Sequence, residues 1–229
     1  MNTNQLSVII PVYNEEKTIK KVIEEVLMQP LVGQIVLVDD ASTDTSLSII
    51  KTTQQKENKI KFIQLQKNHG KGFAIREGIR HATCPLLIIQ DADLEYDPKE
   101  YNTLLDPIIN DKADIVFGSR FKGGNSHRVL YFWHCIGNKF LTLLSNMFTN
   151  LNLSDMETCY KAMRTEIAKS LDLHENRFGI EPELTAKLAK TNKRIFEVGI
   201  SYYGRTYAEG KKITWKDGFR AIYCILKYR

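Results

Sequence analysis

The amino-acid sequence predicts an α/β fold in which a mostly parallel sheet is flanked by helices, and three observations lead to this prediction. Short apolar runs alternate with amphipathic helical segments over residues 1–120. The runs are rich in aliphatic and β-branched residues, as is typical of strands buried on both faces. Each run ends in a cluster of polar residues. Alternation of this kind indicates βαβ units with right-handed crossovers.

Five strands and four intervening helices are predicted in this first half of the chain. The predicted strands are residues 6–12, 34–38, 60–66, 86–90 and 114–118. The predicted helices are residues 15–28, a segment that opens at 68–72 and ends at His81, and a segment near 98–110. Ser42 or Thr43 is expected to cap a further helix after the second strand. The polar clusters at the strand ends should therefore meet at one edge of the sheet, where open parallel sheets bind ligands.

The pattern changes after Gly118. Residues 129–148 are rich in aromatic and aliphatic side chains, and two alternatives remain open for them: a helix buried against the sheet, or a helix at a membrane interface. Residues 180–190 predict a helix and residues 193–201 a strand. The tail, residues 215–229, mixes aromatic and basic side chains in the way that suits anionic membrane surfaces.

Composition excludes several classes of protein. The 229 residues are 43% hydrophobic and 26% charged, and 32 Lys and Arg against 27 Asp and Glu give a net charge of +5, too mild to predict a nucleic-acid partner. The four cysteines form no C-x-x-C pair, so neither a zinc site nor a disulfide framework is expected. No signal peptide and no transmembrane helix are predicted, and cytoplasmic localisation is expected.

The segment Asp91-Ala92-Asp93 follows the fourth predicted strand, with Glu95 two residues further on. In an extended segment alternate side chains face the same way, so these carboxylates should lie close together. Their repulsion calls for a countercharge, and a hard divalent cation such as Mg²⁺ or Mn²⁺ prefers oxygen ligands of this kind. Solvated loop acids are the alternative interpretation.

Three further polar segments follow the first, second and third predicted strands. Tyr13 and Glu15 offer a ring and a carboxylate to a base and a ribose, or else they are ordinary residues at a helix start. Asp40 is expected to accept a hydrogen bond from a nucleobase, or else it belongs to an N-cap cluster. Gly70 and Gly72 allow the backbone to approach a ligand.

These four segments occur in one order at four successive strand ends, and in this respect the chain resembles glycosyltransferase family 2, whose members have the GT-A fold. It is most similar to the dolichyl- or polyprenyl-phosphate hexose synthase branch. The matching segments are V-I-I-P-V-Y-N-E (8–15), V-D-D-A-S-T-D (38–44), N-H-G-K-G (68–72), D-A-D-L-E-Y-D-P (91–98) and G-S-R-F (118–121). The resemblance implies a Rossmann-like sheet within a single domain, residues 1–229. A nucleotide-sugar-binding half, 1–120, would precede an acceptor-side half, 121–229.

The resemblance also implies site residues. The nucleotide of a sugar donor is expected to contact Pro11, Tyr13, Glu15, Val38, Asp40 and Ala92. Mg²⁺ or Mn²⁺ on the diphosphate is expected at Asp91 and Asp93, with Glu95, where the family often has Gln, as a third metal ligand. Arg120 in G-S-R is expected to approach the phosphates. Arg205 and Lys212 are also expected to approach the phosphates. They lie on a segment that closes over the donor in the family, and a solvated basic loop is the alternative. Asp93, Arg120 and Lys212 are the expected catalytic residues.

The expected reaction is metal-dependent, inverting transfer of a hexose from a GDP-mannose or UDP-glucose type of donor to polyprenyl or dolichyl phosphate. Such an acceptor needs no strong base, because the second pKa of a phosphate monoester is about 6. Arg128, after His127, is the candidate for binding the acceptor phosphate, unless it is only a basic residue near a helix start. Peripheral membrane contact at the cytoplasmic face would accompany a lipid acceptor. The alternatives are transfer to a glycan hydroxyl, with Glu181 or Glu183 as base, and a nucleotide-sugar-binding module without turnover.

Overall fold

A computed structural model describes residues 4–123, 128–129, 131–210, 212 and 215–229. Its strands form one sheet with the order β3-β2-β1-β4-β6-β5-β7. They are β1 (Leu6–Val12), β2 (Val32–Asp39), β3 (Ile60–Gln64), β4 (Leu86–Ile89), β5 (Ile115–Ser119), β6 (Lys161–Arg164) and β7 (Ile195–Gly199). All neighbouring pairs are parallel except those of β6, which is antiparallel to both β4 and β5. The predicted α/β fold with a mostly parallel sheet is confirmed.

Helices connect the strands and flank the sheet. They are α1 (Ile19–Leu27), α2 (Ser46–Gln54), α3 (Lys71–His81), α4 (Tyr101–Ile109), α5 (Phe132–Thr149), α6 (Thr165–Ser170), α7 (Ile180–Ala189) and α8 (Trp215–Tyr228). Short 3₁₀ turns cover Pro98–Glu100 and Tyr207–Glu209. The segments 180–190 and 193–201, predicted as a helix and a strand, correspond to α7 and β7, and those two predictions are confirmed. The tail, for which no element was predicted, forms α8.

The centre of the sheet positions the site. In β1, Ile9 lies opposite Val36 of β2 and Ile89 of β4, and all three side chains are fully buried. The chain leaves β1 for β2 on one side, whereas β4 pairs with β1 on the other side. This reversal of strand order opens a crevice beyond the carboxyl ends of β1 and β4, where doubly wound sheets bind ligands.

The predicted start of the first helix at Glu15 is wrong, because the helix begins at Ile19. The backbone N–H of Glu15 donates to Ser46 Oγ at 2.9 Å, and that of Glu16 donates to Asp44 Oδ2 at 3.1 Å. These bonds hold residues 14–18 as a turn against the start of α2 and delay the helix.

The predicted cap at Ser42 or Thr43 is also wrong. Helix α2 begins at Ser46, whose N–H donates to Asp44 Oδ1 at 2.9 Å. Ser42 Oγ accepts instead from the N–H of Asn14 at 3.0 Å, and the N–H of Thr43 donates to Asn14 Oδ1 at 2.8 Å. Asn14 has a left-handed backbone with φ of 51°, so both residues stabilise a strained turn rather than a helix end.

Strand β6 was not predicted from the sequence. It contains four residues, with Lys161 and Arg164 at its ends, so no apolar run marks it. Lys161 is fully buried, and its ammonium group donates to the carbonyl oxygen of Thr158 and to the carboxylate of Glu181. A buried lysine is tolerated here because its charge is paired and hydrogen-bonded.

Helix α5 packs on α7 and α8, but it buries only Thr142 and Ser145. Its large apolar side chains are exposed, including Trp133 at 77% and Met147 at 71%. The alternative in which residues 129–148 form a buried helix is therefore wrong for the part of this segment that the structure describes. In the described ranges, no helix combines the length and the apolar character needed to cross a bilayer.

The contact between α3 and β1 yields a stability prediction. A Cβ atom at Gly78 would lie 2.3 Å from Ile9 Cγ2, so Gly78→Ala should overpack the core and lower the free energy of unfolding by about 1–3 kcal/mol. Gly218→Ala on α8 is the control, because nothing lies within 4 Å of its Cβ position. There alanine should raise stability by up to about 1 kcal/mol through helix propensity alone. Urea unfolding measures both, and equal stability of the two variants would contradict the packing.

Candidate active site

Asp40 organises the end of β2. Its carboxylate accepts hydrogen bonds from the backbone N–H groups of His69 at 2.8 Å and Gly70 at 2.7 Å. Gly70 has φ of 102°, a conformation that glycine adopts without strain. Asp40 is 3% exposed, and Val38 beside it is fully buried. The structure thus uses the Asp40 carboxylate to hold the turn that leads into α3, and its contact with a nucleobase stays a prediction.

The turn after β1 carries Tyr13 and Glu15. Tyr13 is 37% exposed, whereas Pro11 within the strand is partly buried. Lys212 reaches this turn from the far end of the chain, since its Nζ lies 2.7 Å from Glu15 Oε1 and 5.7 Å from the centre of the Tyr13 ring. The structure therefore brings Tyr13, Glu15 and Lys212 together. Their contacts with a nucleotide and its phosphates stay predictions.

The segment after β4 is a turn, so the prediction that Asp91 and Asp93 lie in an extended segment is wrong. Leu94 has φ of 63°, which redirects the chain. Asp91 faces Lys71, whose Nζ lies 2.8 Å from Oδ1. Asp93 faces Arg205, whose Nη2 lies 3.1 Å from Oδ2. The carbonyl oxygen of Ala92, which is 4% exposed, accepts a hydrogen bond from Thr18.

Arg205 joins three acidic residues. Its Nη1 and Nη2 donate to the two carboxylate oxygens of Glu15 at 3.0 and 3.1 Å, and Nη2 also donates to Asp93. The backbone N–H of Arg205 donates to Glu95 Oε1 at 2.7 Å. The other Glu95 oxygen accepts from the hydroxyl of Tyr202 at 2.7 Å. One basic segment is thus tied to acidic residues that follow β1 and β4.

The carboxylates of this crevice carry negative charge that burial makes costly. Burial, followed by repulsion from Asp91 and Glu95, raises the pKa of Asp93 to about 8. In the described part of the chain, no group of three or more His, Cys, Asp or Glu residues gathers around one point as a metal site. Asp91 and Asp93 nevertheless fit a divalent ion held by one or two carboxylates and completed by phosphate oxygens.

Arg120 is anchored by Asp155. Its Nε and Nη2 donate to the two Asp155 oxygens at 2.6 and 2.7 Å, a bidentate pair in which Asp155 is fully buried. The guanidinium carbon lies 5.1 Å from the centre of the Tyr202 ring. The guanidinium group is thus fixed close to Tyr202, which bonds Glu95, and its contact with phosphate stays a prediction.

Arg128 lies against the segment that carries Arg205. Its Nη1 donates to Glu209 Oε2 at 2.7 Å and to the carbonyl oxygen of Gly204 at 3.3 Å. Glu209 and Thr206 also form a reciprocal capping box at the 3₁₀ turn. His127, named with Arg128 in the sequence analysis, lies outside the described residues.

A second set of buried charged groups includes Glu181, named above only as a candidate base, together with Lys71, Lys161 and Glu157, which were not predicted. Lys71 Nζ lies 3.5 Å from Glu181 Oε1, and the other oxygen of Glu181 accepts from Lys161. Burial, followed by repulsion from Glu181, raises the pKa of Glu157 to about 7. The one available signal was Lys71 itself, a cation inside the glycine-containing turn that enters α3.

Comparison with known proteins identifies the family to which this sequence is similar. The sequence pattern of the family described as Glycosyl transferase family 2 matches residues 7–172. A dolichol-phosphate mannosyltransferase from Pyrococcus furiosus is 27% identical over 98% of this chain and 64% of its own length. A dodecaprenyl-phosphate galacturonate synthase from Rhizobium johnstonii is 26% identical over 90% of this chain and 61% of its own. The chain thus spans less than two thirds of these two relatives.

Other similar proteins match over more of their length. A UDP-N-acetylglucosamine–dolichyl-phosphate N-acetylglucosaminyltransferase from Methanococcus voltae is 27% identical over 95% of this chain and 93% of its own length. Among solved structures, glucosyl-3-phosphoglycerate synthase from Mycobacterium tuberculosis, in complex with Mn²⁺, UDP and glucosyl-3-phosphoglycerate, superposes with a TM-score of 0.76 at 18% identity. It covers 98% of this chain and 80% of its own, and it shares the GT-A fold. The family pattern matches most of the length of this chain, and the chain therefore belongs to glycosyltransferase family 2.

Proposed function

We propose that the chain is a metal-dependent, inverting hexosyltransferase that moves a sugar from a nucleotide diphosphate donor to polyprenyl or dolichyl phosphate. One observation carries the proposal: acidic residues after β1 and β4 meet basic residues from the end of the chain in one crevice. Glu15, Asp93 and Arg205 form the centre of that crevice. The names of the relatives, which specify dolichyl or dodecaprenyl phosphates, support the class of acceptor.

On the donor side, Asp91 and Asp93 are the proposed ligands of Mg²⁺ or Mn²⁺. An ion held there would supply Lewis acidity toward the diphosphate. Structural neighbours form complexes with Mn²⁺ or Mg²⁺ and UDP, which supports the choice of ion. Glu95, predicted as a third ligand, instead has both oxygens bonded to the 202–205 segment, and we assign it to positioning that segment.

The nucleotide would lie along the ends of β1 and β2. Exposed Tyr13 offers its ring to the base or ribose, while Pro11, Val38 and Asp40 shape the wall behind it. Glu15 offers carboxylate oxygens to hydroxyl groups once Arg205 and Lys212 turn to the phosphates. Cations near a leaving diphosphate stabilise the charge that develops on it, and this is the role we propose for Arg205, Lys212 and Arg120.

A phosphate acceptor explains why no strong base is required. Its oxygen is anionic at neutral pH, and it attacks the anomeric carbon as the bond to the diphosphate breaks. A single displacement of this kind inverts the anomeric centre, so an α-linked donor gives a β-linked product. Arg128 is the candidate for orienting the acceptor phosphate, because it lies beside the segment that carries Arg205.

One observation favours a second candidate, transfer to a glycan hydroxyl. Glu157 Oε1 and Thr158 Oγ1 are buried atoms without a hydrogen-bond partner among the described residues. Glu157, whose pKa burial raises to about 7, has the basicity expected of a group that removes a hydroxyl proton near neutral pH. The transfer experiment below therefore includes both kinds of acceptor.

We further propose that the α5–α8 face, defined as the exposed side of these two packed helices, lies on the cytoplasmic surface of a membrane. Its exposed apolar side chains include Phe132, Trp133, Phe140, Leu143, Met147, Trp215 and Phe219. Cations accompany them, since Lys216 lies over Trp215 and Arg229 over Phe148. Aromatic and basic side chains together suit the headgroup region of anionic lipids.

A transfer assay tests the reaction. With Mn²⁺, labelled GDP-mannose or UDP-glucose should transfer its sugar to a short-chain polyprenyl phosphate, and the product should be β-linked by NMR. Asp93→Asn should reduce the rate by about 10²-fold or more, because it removes a group that holds the charge-stabilising ion. Asp106→Asn, on the exposed side of α4, is the matched control and should keep the wild-type rate.

Each of the following outcomes of the same assay would contradict part of the proposed function. Transfer only to an oligosaccharide acceptor would replace the lipid phosphate by the second candidate. An α-linked product would exclude single displacement. Full activity of Asp93→Asn would place the metal elsewhere, and nucleotide binding without turnover on any acceptor would identify a binding module.

Vesicle binding tests the α5–α8 face. Wild-type protein should co-sediment with vesicles containing phosphatidylglycerol, and Trp133→Glu together with Phe219→Glu should release most of it, because charge is expelled from the interface. Met28→Glu is the control, since Met28 is 70% exposed but follows α1. Binding that survives the double substitution would show that another surface meets the lipid.

A further inference from the structure

We propose that Arg205 and the divalent ion compete for the same carboxylates, so that the ion binds weakly by itself and tightly together with a nucleotide diphosphate. The inference rests on the proposed function, because it takes Asp91 and Asp93 as the metal ligands. It adds an order of events to that function: the guanidinium of Arg205 is the resident cation of the crevice, and the metal enters as Arg205 turns away.

The contacts of Arg205 fill the position that a metal would need. Its guanidinium bridges both oxygens of Glu15 and Oδ2 of Asp93 at 3.0–3.1 Å. A magnesium ion approaches its ligand oxygens to about 2.0–2.1 Å and repels a neighbouring cation. Asp93 Oδ2 therefore serves Arg205 or the ion, but not both at once.

The two aspartates of the motif have different partners, and only one partner is free to leave. Lys71 is the first residue of α3, is largely buried, and touches both Asp91 and Glu181. Arg205 lies outside the helices and strands, between β7 and the 3₁₀ turn at Tyr207–Glu209. Moving Lys71 would disturb a helix and a buried ion network, whereas moving Arg205 requires only rotation of its side chain or of the irregular segment.

Charge balance explains why nucleotide and metal should enter together. With Asp93 ionised, as it must be to bind a metal ion, four carboxylates of the crevice face three cations. The carboxylates are those of Glu15, Asp91, Asp93 and Glu95, and the cations are Lys71, Arg205 and Lys212. A divalent ion alone would make this balance positive and would cost Arg205 its bond to Asp93. A diphosphate restores the balance, because it accepts both the ion and the released guanidinium.

Isothermal titration with MnCl₂ in the absence of nucleotide tests the competition. Arg205→Gln should bind Mn²⁺ at least tenfold more tightly than the wild type. Addition of UDP or GDP should reduce that advantage to less than threefold, because wild-type Arg205 then contacts the diphosphate. Equal Mn²⁺ affinity of the two proteins without nucleotide would overturn the inference.

Matched variants test whether Arg205 blocks the metal position at Asp93 or only reduces the negative charge of the crevice. Lys212→Gln removes a cation that contacts Glu15 but is not bonded to Asp93, so it should tighten Mn²⁺ binding by less than threefold. Arg205→Lys keeps the charge but loses the fork that bridges two carboxylates, so it should still tighten binding severalfold. Equal effects of Lys212→Gln and Arg205→Gln, or no effect of Arg205→Lys, would contradict competition for one position.

A double variant distinguishes failure of this inference from failure of the proposed function. Adding Asp93→Asn to Arg205→Gln should abolish the tighter Mn²⁺ binding. If tight binding persists, the metal site itself is misplaced and the proposed function fails at that point. If Mn²⁺ binding depends on Asp93 but not on Arg205, the metal site stands and only the competition is refuted.

Discussion

The crevice depends on one electrostatic constraint: carboxylates gathered beyond β1 and β4 need cations. Glu15 and Glu95 are each 9% exposed, so water cannot screen them well. Arg205, Lys212 and Lys71 supply the balancing charge from the end of the chain and from α3. We infer that such a crevice suits a polyanionic ligand that brings its own metal, because Arg205 and Lys212 can exchange carboxylate for phosphate while Lys71 stays on Asp91.

The first half of the fold was predictable because its strands, except the edge strand β3, are mostly buried on both faces and appear in the sequence as apolar runs. The errors in the predicted helix starts came from tertiary hydrogen bonds. At Glu15, for example, a bond to Ser46 holds a turn where a helix was predicted. Strand β6 was not predictable from pattern, since Lys161 is buried only through its pairing with Glu181. The exposure of α5 was also hidden, because an apolar helix has the same composition whether it faces a core or a lipid surface.

The sequence predicted which residues belong to the candidate site better than it predicted their contacts. Motif spacing indicated the segments around Tyr13, Asp40 and Asp91, and parallel strands bring their ends to one edge. Sequence could not show that Arg205 contacts Asp93, because 112 residues separate them and Arg205 itself lies in an irregular segment after β7. Nor could it show that Asp155 holds Arg120, or that Asp40 bonds the turn at His69 and Gly70. Each of these contacts depends on a packing arrangement that exists only in the folded chain.

The most direct test of the electrostatic account is anomalous diffraction from crystals grown with Mn²⁺ and UDP or GDP. The account predicts one strong manganese peak within ligand distance of Asp91 or Asp93 and of the diphosphate, with the Arg205 guanidinium on phosphate oxygen instead of Glu15. A manganese peak remote from both aspartates, or Arg205 still bridging Glu15 and Asp93 beside a bound metal, would contradict it.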